Sequence, residues 1–165
     1  MTARTTHVLF ICTGNSARSI LAEALMNDLG AARGFHGHSA GSHPKGEVHP
    51  WALRTLAAHG LPTAGLRSKR WDEFALPGAP AMDFVFTVCD QAAGEVCPLW
   101  PGRPITAHWG MPDPAAVHEP AAAVERAFRD TFLALKRRIE LLLALPMDGL
   151  DRLAIRRRLE DIGGG

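Results

Sequence analysis

The chain has 165 residues, 47% of them apolar and 21% charged, with a formal net charge of +1. That length suits one domain with a real buried core, and the near-neutral balance gives no pull towards nucleic acid or a membrane surface. No apolar run approaches the ~20 residues of a membrane span, and no signal-peptide core precedes the first apolar segment. The three cysteines do not make a secreted disulfide framework, so a cytoplasmic protein with reactive thiols is expected.

Val8-Leu9-Phe10-Ile11 reads as a short buried strand that ends at Cys12. A polar loop, Thr13-Gly14-Asn15-Ser16-Ala17, leads to Arg18 and Ser19, after which Ile20, Leu21, Ala24 and Leu25 recur at helical spacing. Strand, tight loop and helix in that order aim backbone N–H groups and the positive end of the helix dipole at one point, a natural anion site. The same field is expected to lower the thiol pKa of Cys12 and make it a thiolate nucleophile. Arg18 adds a planar fork suited to the oxygens of a tetrahedral oxyanion. The loop is not a nucleotide-binding P-loop, which needs a Gly-Lys-Ser/Thr ending.

Leu29-Gly30 and the small residues up to Gly34 end the first helix. His36 to Ser42 is expected to form a second short strand and a turn, His43-Pro44-Lys45-Gly46 a loop, and Pro50 the start of a helix over Trp51 to Ala58. Ser68 is expected to cap a short helix through Trp71 and Phe74. Met82 to Val88 is a strand rich in aromatic and β-branched residues, ending at Cys89-Asp90. One helical turn over Gln91 to Glu95 then precedes Cys97-Pro98, Trp100-Pro101-Gly102 is a turn, and Pro104 to His108 is a fourth strand. Trp109-Gly110-Met111-Pro112-Asp113-Pro114 is a proline-stiffened loop. A long amphipathic helix over Ala121 to Leu145 carries Val124, Phe128, Phe132, Leu135, Ile139 and Leu142 on its apolar stripe. Pro146 stops it, and Leu150 to Ile162 is a last helix whose Arg156–158 run reads as a solvated face. We expect a main domain over residues 1–146 and a C-terminal helical extension over 147–165.

Strands alternating with helices argue for an α/β fold, a parallel sheet with helices on both faces. Ligands bind at the carboxyl ends of such strands, where Cys12 and Cys89 both fall. Histidines 36, 38, 43 and 49 cluster in sequence without a fixed i, i+4 face, so no metal site is expected.

The stretch Cys12 to Ser19, CTGNSARS, resembles the active-site loop of the low-molecular-weight tyrosine phosphatase superfamily and of the arsenate reductases built on that fold. The resemblance implies a four-stranded parallel sheet, with residues 13–19 (Thr13, Gly14, Asn15, Ser16, Ala17, Arg18, Ser19) holding the oxyanion. Ser19 is placed to donate a hydrogen bond to Cys12 and favour its charged form. Ala17 stands where the family often has a cysteine. Met111-Pro112-Asp113-Pro114 resembles the family's aspartate–proline loop, which makes Asp113 the general acid. Ala115 and Ala116 follow, where the phosphatase branch has aromatic residues that line a phosphotyrosine cleft. Without rings to stack, contacts worth about 0.5–1.5 kcal/mol per aromatic pair are missing, which argues against a phosphotyrosyl protein as substrate.

Val88 to Pro98, VCDQAAGEVCP, is similar to the redox segment of the arsenate reductases, so the resemblance adds Cys89 and Cys97 to the catalytic set. It implies reduction of arsenate to arsenite through a Cys12 thiol–arsenate adduct, resolved by Cys89 and then Cys97. No bound cofactor is implied, and the electrons come from an external thiol reductant, either thioredoxin or glutathione with glutaredoxin. The alternative is a low-molecular-weight phosphatase acting on phosphate monoesters, which needs Cys12, Arg18 and Asp113 only. A non-catalytic oxyanion or thiol-redox sensor is a third reading, and Asp113 speaks against it, because binding alone needs no general acid.

Overall fold

In the computed structural model, residues 4–89 and 103–164 are described. The expected helical turn at 91–95, the turn at 100–102 and Cys97 lie outside them. The elements are β1 (Thr6–Ile11), α1 (Arg18–Gly30), β2 (Phe35–Ala40), α2 (Pro50–Ala58), β3 (Phe84–Thr87), β4 (Ile105–His108), α3 (Ala121–Leu143) and α4 (Arg152–Gly164). All four strands run parallel in the order β2-β1-β3-β4. Central β1 is covered on both sides, which is why Val8 to Ile11 is one unbroken apolar run and fully buried.

The register sets Val8, Gly37, Phe84 and Ile105 in one row across the sheet. Here α1 comes so close that a Cβ on Gly37 would stand 2.9 Å from Met26 Cβ and 3.0 Å from the Glu23 carbonyl. Phe10 and Phe86 on the same face stack at 5.6 Å, and Trp109 lies 3.9 Å from Phe86. The whole expected stripe of α3, from Val124 to Leu142, is buried. On the opposite face a 3-10 turn at Trp71–Ala75 packs Phe74 against His38, ring centroids 5.3 Å apart.

The sequence expectations need adjusting at element ends. β3 is shorter at both ends than Met82–Val88. The last helix starts at Arg152 because the Asp151 carboxylate accepts the Ala154 N–H at 2.8 Å and caps it there. Ser68 caps nothing: its hydroxyl donates to the Gly14 carbonyl at 3.3 Å and accepts from the Gly46 N–H at 3.1 Å. It braces the loop after β1 instead. Among the described residues, no helix is long and apolar enough to cross a membrane.

One polar cluster lies on the sheet itself. The β1–β2 register pairs His7 with His36, and His38 lies two residues on along β2. His7 Nδ1 and His38 Nε2 are 2.9 Å apart, and the His36 and His38 rings stack at 4.5 Å. Burial first, then the neighbouring His36, His7 and Lys69 charges, pushes His38 down to about 4. An unfolded histidine titrates near 6.5, so the folded state resists a proton that the unfolded chain accepts. The neutral ring's contribution is complete above pH 6.5 and is lost as pH falls from there towards 4. In urea titrations across that window, the wild-type midpoint is expected to fall more steeply than that of His38→Gln, which keeps a hydrogen-bonding group without the titration. Parallel curves would show that His38 does not set the acid limb.

Candidate active site

β1 delivers Cys12 to the carboxyl edge of the sheet, and α1 begins six residues later at Arg18. The loop between them is held from outside. The Thr13, Gly14 and Ser16 carbonyls accept the N–H groups of His43, Lys45 and His49 at 2.9, 3.0 and 3.0 Å. With the carbonyls engaged outward, the Gly14 N–H pulls the Cys12 thiol towards its charged form. Gly41 lets β2's exit run against this loop, because a Cβ there would sit 2.5 Å from the Thr13 carbonyl.

The turn is fixed by Asn15, fully buried and at φ 41°, a left-handed conformation that asparagine tolerates better than most side chains. Its amide nitrogen donates to Ser19 Oγ at 2.8 Å and Ser39 Oγ at 3.0 Å, and its Oδ1 accepts the Lys69 N–H at 2.8 Å. Behind it lies a buried cation that the sequence reading missed. Lys69 Nζ donates to the Ser39 and Arg67 carbonyls at 2.9 and 2.8 Å and lies 3.6 Å from the Glu23 carboxylate. Glu23 also accepts from Ser39 Oγ at 2.5 Å, so lysine, carboxylate, hydroxyl and amide form one connected network under the loop. Nothing local marks Lys69, since it lies 54 residues from Asn15 in the chain.

A cavity opens over the loop, lined by residues 12–18 together with His43, Lys45, Asp113 and Ala115. His43 and Lys45 add two basic groups that sequence reasoning left in a plain loop. Arg18 is anchored by donating to the Met111 carbonyl at 2.9 Å, and its other arm lies 3.7 Å from Asp113 Oδ2. Asp113 Oδ1 accepts the Ala115 N–H at 2.9 Å, so the carboxylate caps the short turn after it and still faces the cavity. Cavity, guanidinium and carboxylate thus converge on the Cys12 sulfur.

Cys89 arrives from the end of β3. Its sulfur accepts the Thr13 N–H at 3.3 Å and lies 3.6 Å from Thr13 Oγ1. Cys12 and Cys89 are both reduced and buried, and Cys89 lies close enough to dominate the Cys12 thiol. This corrects two expectations. The Cys12 thiol is not depressed: the neighbouring Cys89 side chain first, then burial, holds it well above the usual thiol range, against the pull of Arg18 and the Gly14 N–H. And the bond expected from Ser19 to Cys12 is absent among the described residues, where Ser19 Oγ accepts from the Asn15 amide.

Comparison with known proteins agrees with this geometry. Residues 7–153 match the family described as low molecular weight phosphotyrosine protein phosphatase. A curated arsenate reductase of Halalkalibacterium halodurans is 35% identical over 131 residues, 74% of this chain and 86% of that one. A solved arsenate reductase in its phosphate-binding state is 26% identical with a TM-score of 0.65, over 85% of this chain and 98% of that one. A thioredoxin-dependent arsenate reductase of Corynebacterium glutamicum is 25% identical with a TM-score of 0.55, over 86% of this chain and 65% of that one.

Two outcomes follow from the geometry. Lys69→Met leaves Glu23 without its cation, and a loss of about 3 kcal/mol is expected in urea unfolding. Adding Glu23→Gln should restore part of it, and full additivity would show that the two charges do not interact. Cys89→Ala removes the largest influence on Cys12. The pH midpoint for alkylation of Cys12, followed on its peptide by mass spectrometry, is then expected to move to lower pH. An unmoved midpoint would assign the raised thiol to burial alone.

Proposed function

This chain belongs to the low molecular weight phosphotyrosine protein phosphatase family, and we propose that within it the protein is an arsenate reductase working in the reducing cytoplasm. The carrying observation is the place of Cys89, whose sulfur accepts the N–H of Thr13 next to Cys12 at 3.3 Å and is the largest influence on the Cys12 thiol, because hydrolysis needs one thiol and two-electron reduction needs a second within reach.

In the proposed reaction, arsenate occupies the cavity above the loop, its oxygens taken by loop N–H groups and Arg18. Cys12 attacks arsenic as a thiolate, an As–O bond breaks, and Asp113 supplies the proton that lets the oxygen leave as water. Cys89 then attacks the Cys12 sulfur. The S–As bond breaks, its electron pair passes to arsenic, and arsenite leaves as a Cys12–Cys89 disulfide forms. Cys97 attacks Cys89 next, returns Cys12 as a thiolate and leaves a Cys89–Cys97 disulfide for an external dithiol to reduce. Cys97 lies outside the described residues, so its part rests on the sequence resemblance. The similarity to a thioredoxin-dependent reductase supports thioredoxin as that dithiol, with glutathione and glutaredoxin as the other source. Because Cys12 holds its proton at rest, an oxygen of the bound arsenate takes that proton as the sulfur attacks.

A phosphatase reading stays attached to the same three groups, Cys12, Arg18 and Asp113. Ala115, lining the cavity where an aromatic ring would stack on a phenol, favours the smaller oxyanion. Arsenate-dependent NADPH oxidation with thioredoxin and thioredoxin reductase, repeated with glutathione and glutaredoxin, tests the proposal. Turnover is expected, lost at least a hundredfold in Cys89→Ser, while any aryl-phosphate hydrolysis survives that change and vanishes in Cys12→Ser. Hydrolysis without arsenate turnover in either mixture would overturn the reductase reading.

A further inference from the structure

The three histidines on the sheet are unused by any step above, and they lie at its other end. His7 is five residues upstream of Cys12 on β1, about 17 Å at strand rise. We propose that His7, His36 and His38 form a binding site for a divalent transition-metal ion. The ring nitrogens that face one another, one from each residue, all lie within 4.8 Å of each other.

The backbone makes this arrangement rigid. Parallel pairing sets His7 beside His36, and the two-residue period of β2 returns His38 to the same face. Metal–imidazole bonds of about 2.0–2.1 Å put two ligand nitrogens ~2.9 Å apart at a right angle and ~3.4 Å apart at the tetrahedral angle. The 2.9 Å contact between His7 Nδ1 and His38 Nε2 already matches the first. In the metal-free protein one proton bridges these two nitrogens. On binding it moves to the far nitrogen of its own ring, and both lone pairs turn to the metal. His36 is exposed and stacked on His38 and closes the set by rotating its ring. Phe74 backs His38 and fixes its plane.

The surrounding charges permit a cation. Arg4 is paired with Asp83, whose carboxylate also accepts the His7 N–H at 2.8 Å, and Lys69 is paired with Glu23. Three imidazoles suit nickel, copper, zinc or cobalt, with water completing the shell on the exposed side. The near-right angle favours nickel and copper over tetrahedral zinc.

The test is calorimetric titration with Ni²⁺. Because thiols also bind such metals, it is run on the wild type and on a Cys12→Ser/Cys89→Ser/Cys97→Ser variant. One Ni²⁺ per chain is expected in both, with affinity reduced at least tenfold by His36→Ala, an exposed substitution that leaves the fold intact. The Ni²⁺-dependent rise in unfolding temperature should disappear in the same variant. Should the thiol-less chain not fold, the visible spectrum of wild type with Co²⁺ decides: nitrogen-ligand bands without thiolate charge transfer support the site. Binding that is unchanged in His36→Ala, or that disappears with the cysteines, or a thiolate charge-transfer band, would overturn it. None of these readouts uses arsenate turnover, so failure here leaves the reductase proposal untouched.

Discussion

The structure turns on one buried amide. Asn15 must adopt a left-handed backbone to turn the loop back over Cys12, and its side chain is spent on two hydroxyls and a backbone N–H from three other parts of the chain. An asparagine buried without those partners would be strongly unfavourable, so the loop forms only when β2, the residue-69 strap and α1 are already in place. The cavity is therefore assembled by tertiary structure and not by a local turn. Lys69 extends the same logic: a buried ammonium is tolerable only because Glu23 and several carbonyls surround it, and that enclosure fixes the distance between α1 and β2.

The second constraint is electrostatic. A helix terminus, Arg18 and the Gly14 N–H all favour a charged sulfur at Cys12, yet the neighbouring Cys89 thiol and the surrounding burial outweigh them. Two opposing influences at one atom let the site answer its ligand. At rest the Cys12 thiol holds its proton, and a change at Cys89 changes how readily Cys12 ionises. Coupling of this kind belongs to the pair, and neither cysteine titrates alone.

Much of this was legible in the sequence, and for a physical reason. A strand buried on both faces must be apolar throughout, and a helix with one buried stripe must repeat every 3.6 residues, so β1 and α3 declare themselves. The loop from Cys12 to Arg18 was legible because strand–loop–helix is a local arrangement. What stayed hidden depends on residues distant in sequence. Lys69 looks like any surface lysine until Glu23 is beside it. In the sequence His36, His38, His43 and His49 form one group with no fixed face, whereas the register joins His36 and His38 to His7, and His43 and His49 donate to the active-site loop. The thiolate expectation for Cys12 weighed the helix and Arg18 and lacked the neighbour 77 positions away, which pushes the other way.

The Asp113 side of the site shows how a distant helix contributes. Asp113 sits on a loop whose start is gripped from behind: Trp109 is fully buried and donates from Nε1 to the Leu159 carbonyl at 2.8 Å. Arg138 of α3 donates to the Trp109 and Gly110 carbonyls at 2.9 and 3.3 Å and to the Gly163 carbonyl at 3.2 Å. A Cβ on Gly163 would lie 2.5 Å from the Trp109 ring, so only glycine lets α4 come this close. One guanidinium thus ties the end of α4 to the exit of β4, four residues before the carboxylate. The role proposed for Asp113 requires a carboxyl held in place. In this chain the holding is done by a helix beyond the long α3, reaching back to the sheet through an arginine, a tryptophan and a glycine.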